Sequence, residues 1–490
     1  MRFPAPPLPY DPGSDHLREE CGVFAVHGAE DSALMIALGL HALQHRGQES
    51  CGIVTHDGAR VYAERHMGLV GEHFAEGDTH KRLPGKIGIG HVRYSTSGAT
   101  VVRNIQPLYA DVRGGGIAVA HNGNLTNART LRDELVSSGA IFQSTSDTEV
   151  ILQIAARSAR TSSTKRFLSA LKQIEGAFAL VALVNGKLVV ARDPFGIRPL
   201  VLGELDGATI VASETCALDV IGASYVRDVE PGEAIIVSDE GMKSERFAPT
   251  RTARTCAFEY IYFARPDSVI SGISVYEARK RMGAQLYKDA PAEIDVVIPV
   301  PDSGVPAALG YAQAAGVPYE MGIIRGHYVG RTFIQPTQAK RDLGVRRKHS
   351  ANPPVIKGKR VLLVDDSIVR GTTSRKIVEM MREAGATEVH FRSACPPIKF
   401  PDFYGIDMPS RTELMASSQE CEDMARALKA DSLGFLSLDG LYEAVLGAPR
   451  NDKAPQLADH YFTGEYTTRL LDHERAASDK DRQLSLLVDA

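Results

Sequence analysis

Between Val361 and Ser374 the chain reads Val-Leu-Leu-Val-Asp-Asp-Ser-Ile-Val-Arg-Gly-Thr-Thr-Ser. An unbroken apolar run that ends in two adjacent carboxylates is a strand buried on both faces, and such strands belong to parallel sheets covered by helices. Asp365 and Asp366 then stand at its carboxyl end. A short loop of Arg370, Gly371, Thr372, Thr373 and Ser374 opens a helix whose Ile377, Met380, Met381 and Ala384 share one face. A second unit has the same grammar: a strand in 293–300, the exit loop Pro301-Asp302-Ser303-Gly304, a helix ending at Gly316 and a strand in 317–324. Two βαβ units imply an α/β domain with a parallel sheet and ligands at its carboxyl ends.

The chemistry of these loops is specific. Adjacent carboxylates suit Mg²⁺ and the hydroxyls of a sugar. Backbone N–H groups at a helix start, with hydroxyls beside them, suit a phosphate monoester. Asp302 and Ser303 occupy the equivalent place in the other unit and suit the far end of an extended polyphosphate. Ser303, Asp365 and Asp366 are therefore the expected ligands of one Mg²⁺ per chain. The alternative is an N-capped turn with solvated aspartates, and the repeated loop argues against it. Between the units, Arg325 to His349 holds seven Lys/Arg and one acidic residue. It reads as a basic flap over a phosphorylated sugar.

The preceding residues follow another pattern. From Cys21 to about Val237 the runs are short, apolar and glycine-punctuated, and Asn185-Gly186 between two of them marks a tight hairpin. Helices lie between, one stopping at Gly47 and one starting at a capping box of Ser146 and Glu149. This is an α+β layered domain of antiparallel sheets with helices. At 490 residues the chain exceeds one core. The expected divisions are 1–20, a leader; 21–250, the α+β domain; 251–450, the α/β domain; and 451–490, a polar surface extension. The break between domains falls in the polar stretch 238–256.

Cys21 follows a Pro-rich head and precedes a strand. A lone cysteine there is most often a core residue. If the chain instead began at Cys21, its α-amine, with a pKa near ~7.7–8, would be a built-in base for its thiol. The head 1–20 would then be a propeptide. Asn122 and Gly123 in "HNGNLTN" offer an oxyanion hole, with a turn as the alternative. Arg93 suits a carboxylate. Asp147 suits an ammonium, or equally a helix start. Arg46 is a binding or a structural residue.

The Val361–Ser374 string resembles the phosphoribosyl-diphosphate signature of type I phosphoribosyltransferases. The ordered set Cys21, Arg93, Asn122, Gly123 and Asp147, with "RDPFGIRPL" at 192–200, resembles class II, N-terminal-nucleophile glutamine amidotransferases. Joined in this order, and with "FEYIYFARPDS" and "YVGRTFIQPTQ", the chain resembles the glutamine phosphoribosylpyrophosphate amidotransferase family from Cys21 to about Tyr466. The resemblance implies Cys21 as nucleophile, Asn122 and Gly123 as oxyanion hole, and Arg46, Arg93 and Asp147 as glutamine ligands. It implies that Asp302, Ser303, Asp365, Asp366 and Arg370 to Ser374 bind phosphoribosyl pyrophosphate. The implied reaction is the first step of purine synthesis, giving 5-phosphoribosylamine, glutamate and pyrophosphate. An ammonia channel, a homo-oligomer and purine nucleotide feedback inhibitors are implied with it.

Some relatives carry a 4Fe–4S cluster, which needs four thiolates. Here Cys256 holds one such position, Asp402 stands at the second, and 451–464 contains no cysteine. No iron–sulfur cluster is expected. The tail would be held by packing of Tyr461 and Phe462.

The rival readings are a purine-sensing regulator and an amidotransferase serving another acceptor. The first needs a basic face. With 56 Lys+Arg against 60 Asp+Glu the chain has none, so no nucleic-acid partner is expected. The Asp365-Asp366 loop argues against the second. No apolar run reaches the roughly 18 residues of a membrane span, and six scattered cysteines fit a reducing cytoplasm.

Overall fold

The computed structural model describes residues 18, 19, 21–74, 78–94, 102–326 and 349–474. The first half is built on two antiparallel sheets. One has seven strands in the spatial order Ser224–Asp228, Val201–Leu205, Ala208–Ala212, Cys21–His27, Ile87–Arg93, Ser50–His56, Val61–Met67. The other has six: Gly241–Arg246, Glu233–Ser238, Lys187–Arg192, Gly176–Val184, Gly115–Leu125, Leu108–Val112.

The period of two along a strand explains the layering. Val23 and Ala25 pack between the sheets with Ala120, Ala179 and Val181, while Phe24 and Val26 pack outward under the helices Ser32–Ala42 and Thr215–Ile221. On the second sheet Phe178, Leu180 and Ala182 turn outward to the helices Thr148–Arg157 and Ser163–Leu171. The result is four layers, helix, sheet, sheet, helix. The Asn185-Gly186 hairpin forms where expected, with φ of 50° and 73° joining Gly176–Val184 to Lys187–Arg192.

The second half is a four-stranded parallel sheet in the order Val296–Pro299, Arg360–Asp365, Glu388–Ser393, Ser432–Phe435. Val297, Leu362 and Val364 face the helices Val275–Asp289 and Val305–Ala315 on one side. Val296, Ile298, Val361 and Leu363 face Thr372–Glu383 and Cys421–Leu428 on the other. Tyr319 bridges in parallel to Val297 on the edge away from Arg360–Asp365. Strand order therefore reverses at Val296–Pro299, and the crevice beside it is a topological switch point.

Four local expectations need correction. The helix near Ser146 begins at Thr148 and is capped by Asp147, whose side chain accepts from Thr148 N; Glu149 instead accepts from Gln143 N and Ser144 N. The helix expected to run to Gly47 ends at Ala42. Gly241–Arg246, exposed along its length, is an edge strand inside the expected linker, invisible as a strand because neither face is buried. The tail is not a surface extension throughout: Leu457, Ala458, His460, Tyr461 and Phe462 are buried, and Leu457–Ala458 pairs in parallel with Thr255–Cys256. Ahead of Cys21, Arg18–Glu19 pairs antiparallel with Ile406–Asp407. Most of the basic stretch, 327–348, lies outside the described residues, as do 1–17 of the leader. Among the described residues no helix is long and apolar enough to cross a membrane.

The two halves are joined through a buried chain of charges. Arg46 Nε bonds Glu214 Oε1, and Arg46 Nη2 donates to Glu259 Oε2 at 2.6 Å, all three side chains having 0% exposure. Arg198 Nη1 reaches Glu259 Oε1 at 3.4 Å and its other nitrogens donate to Tyr404 O. Glu214 Oε2 accepts from Ser268 Oγ at 2.6 Å and Arg265 N at 2.9 Å. Burial alone would raise the Glu214 carboxyl; Arg46 and His45 beside it hold it below the usual carboxylate range. Removing one partner from such a network strands a buried charge. Arg46→Ala is expected to lower unfolding stability by about 3–5 kcal/mol, read by urea denaturation, with Glu259→Gln milder.

Candidate functional site

The first candidate site sits where the two antiparallel sheets meet. Cys21 opens its strand and pairs in register with Arg93, which pairs in turn with Ser50. Cys21 and Arg93 are 6% and 5% exposed. The turn at Arg46-Gly47 presses on them: a Cβ on Gly47 would lie 2.6 Å from Arg93 N, and one on Gly22 would lie 3.5 Å from Arg46 Cδ. The strand Gly115–Leu125 of the other sheet packs directly on the strand Cys21–His27. His91 Nε2 lies 3.1 Å from His121 O across the gap.

On that facing strand Asn122 pairs with Ala179 and Gly123 with Phe178. Asn122 has 0% exposure, yet neither its Nδ2 nor its Oδ1 has a hydrogen-bond partner among the described residues. An unsatisfied buried amide costs about 1–3 kcal/mol, so its retention calls for a reason. Gly123 has φ +133°, a conformation that side chains rarely adopt. Asp147 clamps the strand's end: Oδ2 accepts from Leu125 N at 3.0 Å while Oδ1 accepts from Thr148 N at 2.8 Å. Asp147 thus caps the helix Thr148–Arg157 and holds the end of the strand that carries Asn122 and Gly123.

The structure places Cys21 and Arg93 side by side on one sheet and Asn122 and Gly123 on the strand that packs against it, with Asp147 bonded to that strand's end. Arg46 is different. Its guanidinium bonds Glu214 and Glu259 and its Cδ stands against Gly22, which favours the structural of its two expected roles. Neither glutamate carried a sequence signal, because a buried carboxylate pair is made by tertiary contact alone. Burial pushes Cys51, Cys216 and Cys256 up to about 12, and Cys395 well above its ordinary value.

The second candidate site lies at the switch point of the parallel sheet. Ser303 Oγ donates to Asp366 Oδ2, so the two exit loops touch. Ser367 Oγ donates to Asp366 Oδ1 at 2.6 Å, and Asp365 Oδ1 accepts from Asp366 N at 2.9 Å. Both aspartates are 5% exposed. Asp302 is paired with Arg325, the first residue of the basic stretch. Gly371 caps the helix Thr372–Glu383 with φ 76°, and Ser374 is buried. Arg370, Gly371 and Thr372 also line a cavity of about 290 Å³ with Arg375, Thr412 and Glu413. Arg370 Nη2 reaches Glu413 Oε1 at 3.2 Å.

Among the described residues no group of three or more His, Cys, Asp or Glu is placed to hold a metal ion. Mg²⁺ needs less from a protein, one or two carboxylates with substrate phosphates and water completing its shell. The oxygen donors Asp365, Asp366 and Ser303 fit that requirement. At the positions compared above with cluster ligands, Cys256 Sγ is 3.2 Å from the Tyr461 hydroxyl, and His460 Nε2 is 2.7 Å from Asp402 Oδ1.

Family models match both halves: a glutamine amidotransferase domain over residues 91–220 and a phosphoribosyl transferase domain over 274–397. The chain is 60% identical over 464 residues to the amidophosphoribosyltransferase of Rhizobium etli, covering 94% of each chain. It is 50% identical to that of Bacillus subtilis, covering 93% of this chain and 95% of the relative. A solved structure of the B. subtilis glutamine phosphoribosylpyrophosphate amidotransferase, complexed with ADP and GMP, superposes with a TM-score of 0.87 at 49% identity over 92% of this chain and 98% of that one. With both catalytic halves matched along nearly their whole length, the chain belongs to the amidophosphoribosyltransferase family.

Proposed function

We propose that this chain makes 5-phosphoribosylamine from glutamine and phosphoribosyl pyrophosphate in two coupled half-reactions. The observation that carries the reading is the Asn122 amide, buried and unpartnered on the strand that packs against that of Cys21. A donor held in that state costs stability and is repaid only when an oxyanion forms beside it.

In the first half-reaction the head 1–20 is removed and Cys21 becomes the amino terminus. Its α-amine takes the thiol proton, and the sulfur attacks the glutamine side-chain carbonyl. Asn122 Nδ2 and Gly123 N–H stabilise the tetrahedral oxyanion. Arg93 holds the substrate carboxylate and Asp147 its ammonium. The C–N bond breaks as ammonia leaves with the proton returned from the α-amine. Water then cleaves the thioester to glutamate. Arg46 acts from behind Gly22, through packing.

In the second half-reaction Asp365 and Asp366 bind the ribose hydroxyls, Asp302 and Ser303 the pyrophosphate, and the loop Arg370 to Ser374 the 5′-phosphate at its helix start. Mg²⁺ held by this oxygen set would neutralise the leaving pyrophosphate. Ammonia attacks C1 of the ribose with inversion as the C1–O bond breaks. No protein base is needed, since the leaving group requires charge neutralisation rather than a proton. The regulators are purine nucleotides, the working form is a homo-oligomer and the compartment is the cytoplasm. The family resemblance, the ADP- and GMP-bound relative and the absence of any disulfide among the described cysteines support these three points.

Four outcomes test this assignment. Intact mass and amino-terminal sequencing of active protein should find Cys21 first. Cys21→Ala should abolish glutamine-dependent synthesis and keep synthesis from added ammonia; full activity with Met1 to Glu20 attached would remove the α-amine mechanism. Asp366→Asn should impair synthesis from glutamine and from ammonia alike, through weaker binding of the sugar phosphate measured by calorimetry with Mg²⁺ present. Protein purified without oxygen should be colourless, air-stable and free of stoichiometric iron and acid-labile sulfide.

A further inference from the structure

The turn from Asp402 to Asp407, in the second half, reaches the oxyanion strand of the first. A Cβ on Gly405 would lie 3.2 Å from both the Cα and the carbonyl carbon of Gly123, and 2.7 Å from Arg198 Nη2. Gly405 itself has φ +125°. One residue along, Asn124 Nδ2 donates to Phe403 O at 2.9 Å. The backbone at Gly405 therefore lies against that of Gly123, beside the Arg198 guanidinium, and the Asn124 side chain ties the same turn to the strand.

The turn is held in turn by a buried pair. Asp402 Oδ2 accepts from Tyr404 N at 3.0 Å and from Ile406 N at 2.6 Å. Its Oδ1 meets His460 Nε2 at 2.7 Å, and neither side chain is exposed. Thr468 N donates to the Tyr404 hydroxyl at 2.7 Å, and the rings of Tyr404, Tyr461 and Tyr466 enclose His460.

We propose that Gly405, fixed by Asp402 and His460, is a positioning residue for the oxyanion donors Asn122 and Gly123. The proposal rests on the assignment of those donors above. Oxyanion donors work only within about 2.7–3.1 Å of the developing charge, and a displacement near 1 Å costs up to roughly 100-fold in rate. A methyl at position 405 has no room unless Gly123 or Arg198 moves. Because the oxyanion exists only in the transition state, the loss falls on kcat for glutamine and spares KM. Ammonia-dependent synthesis does not pass through that intermediate.

The test compares Gly405→Ala and Asn124→Ala with the parent enzyme in both reactions. Gly405→Ala should lower kcat with glutamine by roughly 10- to 100-fold, with the glutamine KM and the ammonia-dependent rate within about twofold of the parent. Asn124→Ala, which leaves the turn's own conformation free of strain, should show a smaller loss of the same kind. If Gly405→Ala does not fold, Asn124→Ala decides. Equal losses in both reactions, a change confined to KM, or unchanged kcat in the variant that folds would overturn the proposal. Asn122→Ala separates the two levels. If it too leaves glutamine turnover intact, the donor assignment is wrong; if it alone lowers turnover, only the positioning role is.

Discussion

The fold depends on one buried arginine. Arg46 emerges beside the strand that begins at Cys21, yet its two carboxylate partners come from a helix start at Glu214 and from Glu259 in the second half. A guanidinium in this setting is useful because its planar fork can serve two carboxylates in fixed directions, which a lysine cannot. Glu259 passes the connection to Arg198, and Arg198 to the carbonyl of Tyr404. Four charges are thus satisfied only when both halves are folded and docked. Each half has its own apolar core, but neither satisfies this network alone.

The second site follows from topology more than from any single contact. The chain leaves Val296–Pro299 toward Tyr319 on one side and returns as Arg360–Asp365 on the other. The two exit loops diverge, and the crevice between them is lined by whatever residues end those strands. Here those are Asp302, Ser303, Asp365 and Asp366. The Ser303 to Asp366 hydrogen bond shows how closely the loops approach. Carboxylates stand on one side of the crevice and a helix start on the other.

Much of this was legible in the sequence, for reasons that can be named. The strands of both halves announce themselves because their apolar faces are buried on two sides, as the alternate packing of Val23 and Phe24 or of Ile298 and Val297 makes plain. Asn185-Gly186 is legible because few residue pairs accept two left-handed conformations. Cys21, Asn122 and Asp366 stand in short strings whose chemistry is local. What was not legible is what only long-range contact creates. Glu214 and Glu259 look like ordinary surface carboxylates until Arg46 is placed between them. Gly241–Arg246 has no inward face to betray it. Leu457 to Phe462 is too short an apolar run to distinguish a buried tail from an exposed one, and Asp147 and Ser146 exchange the capping role by a single residue.

The antiparallel pairing of Arg18–Glu19 with Ile406–Asp407 also orders events in time. The backbone just ahead of Cys21 leaves the ribosome before its pairing partner is made. At roughly 5–20 residues per second the interval is tens of seconds. Throughout that period the first half can build its sheets, but the junction before Cys21 has no strand to lie against. The geometry in which that junction is finally presented therefore depends on residues of the second half.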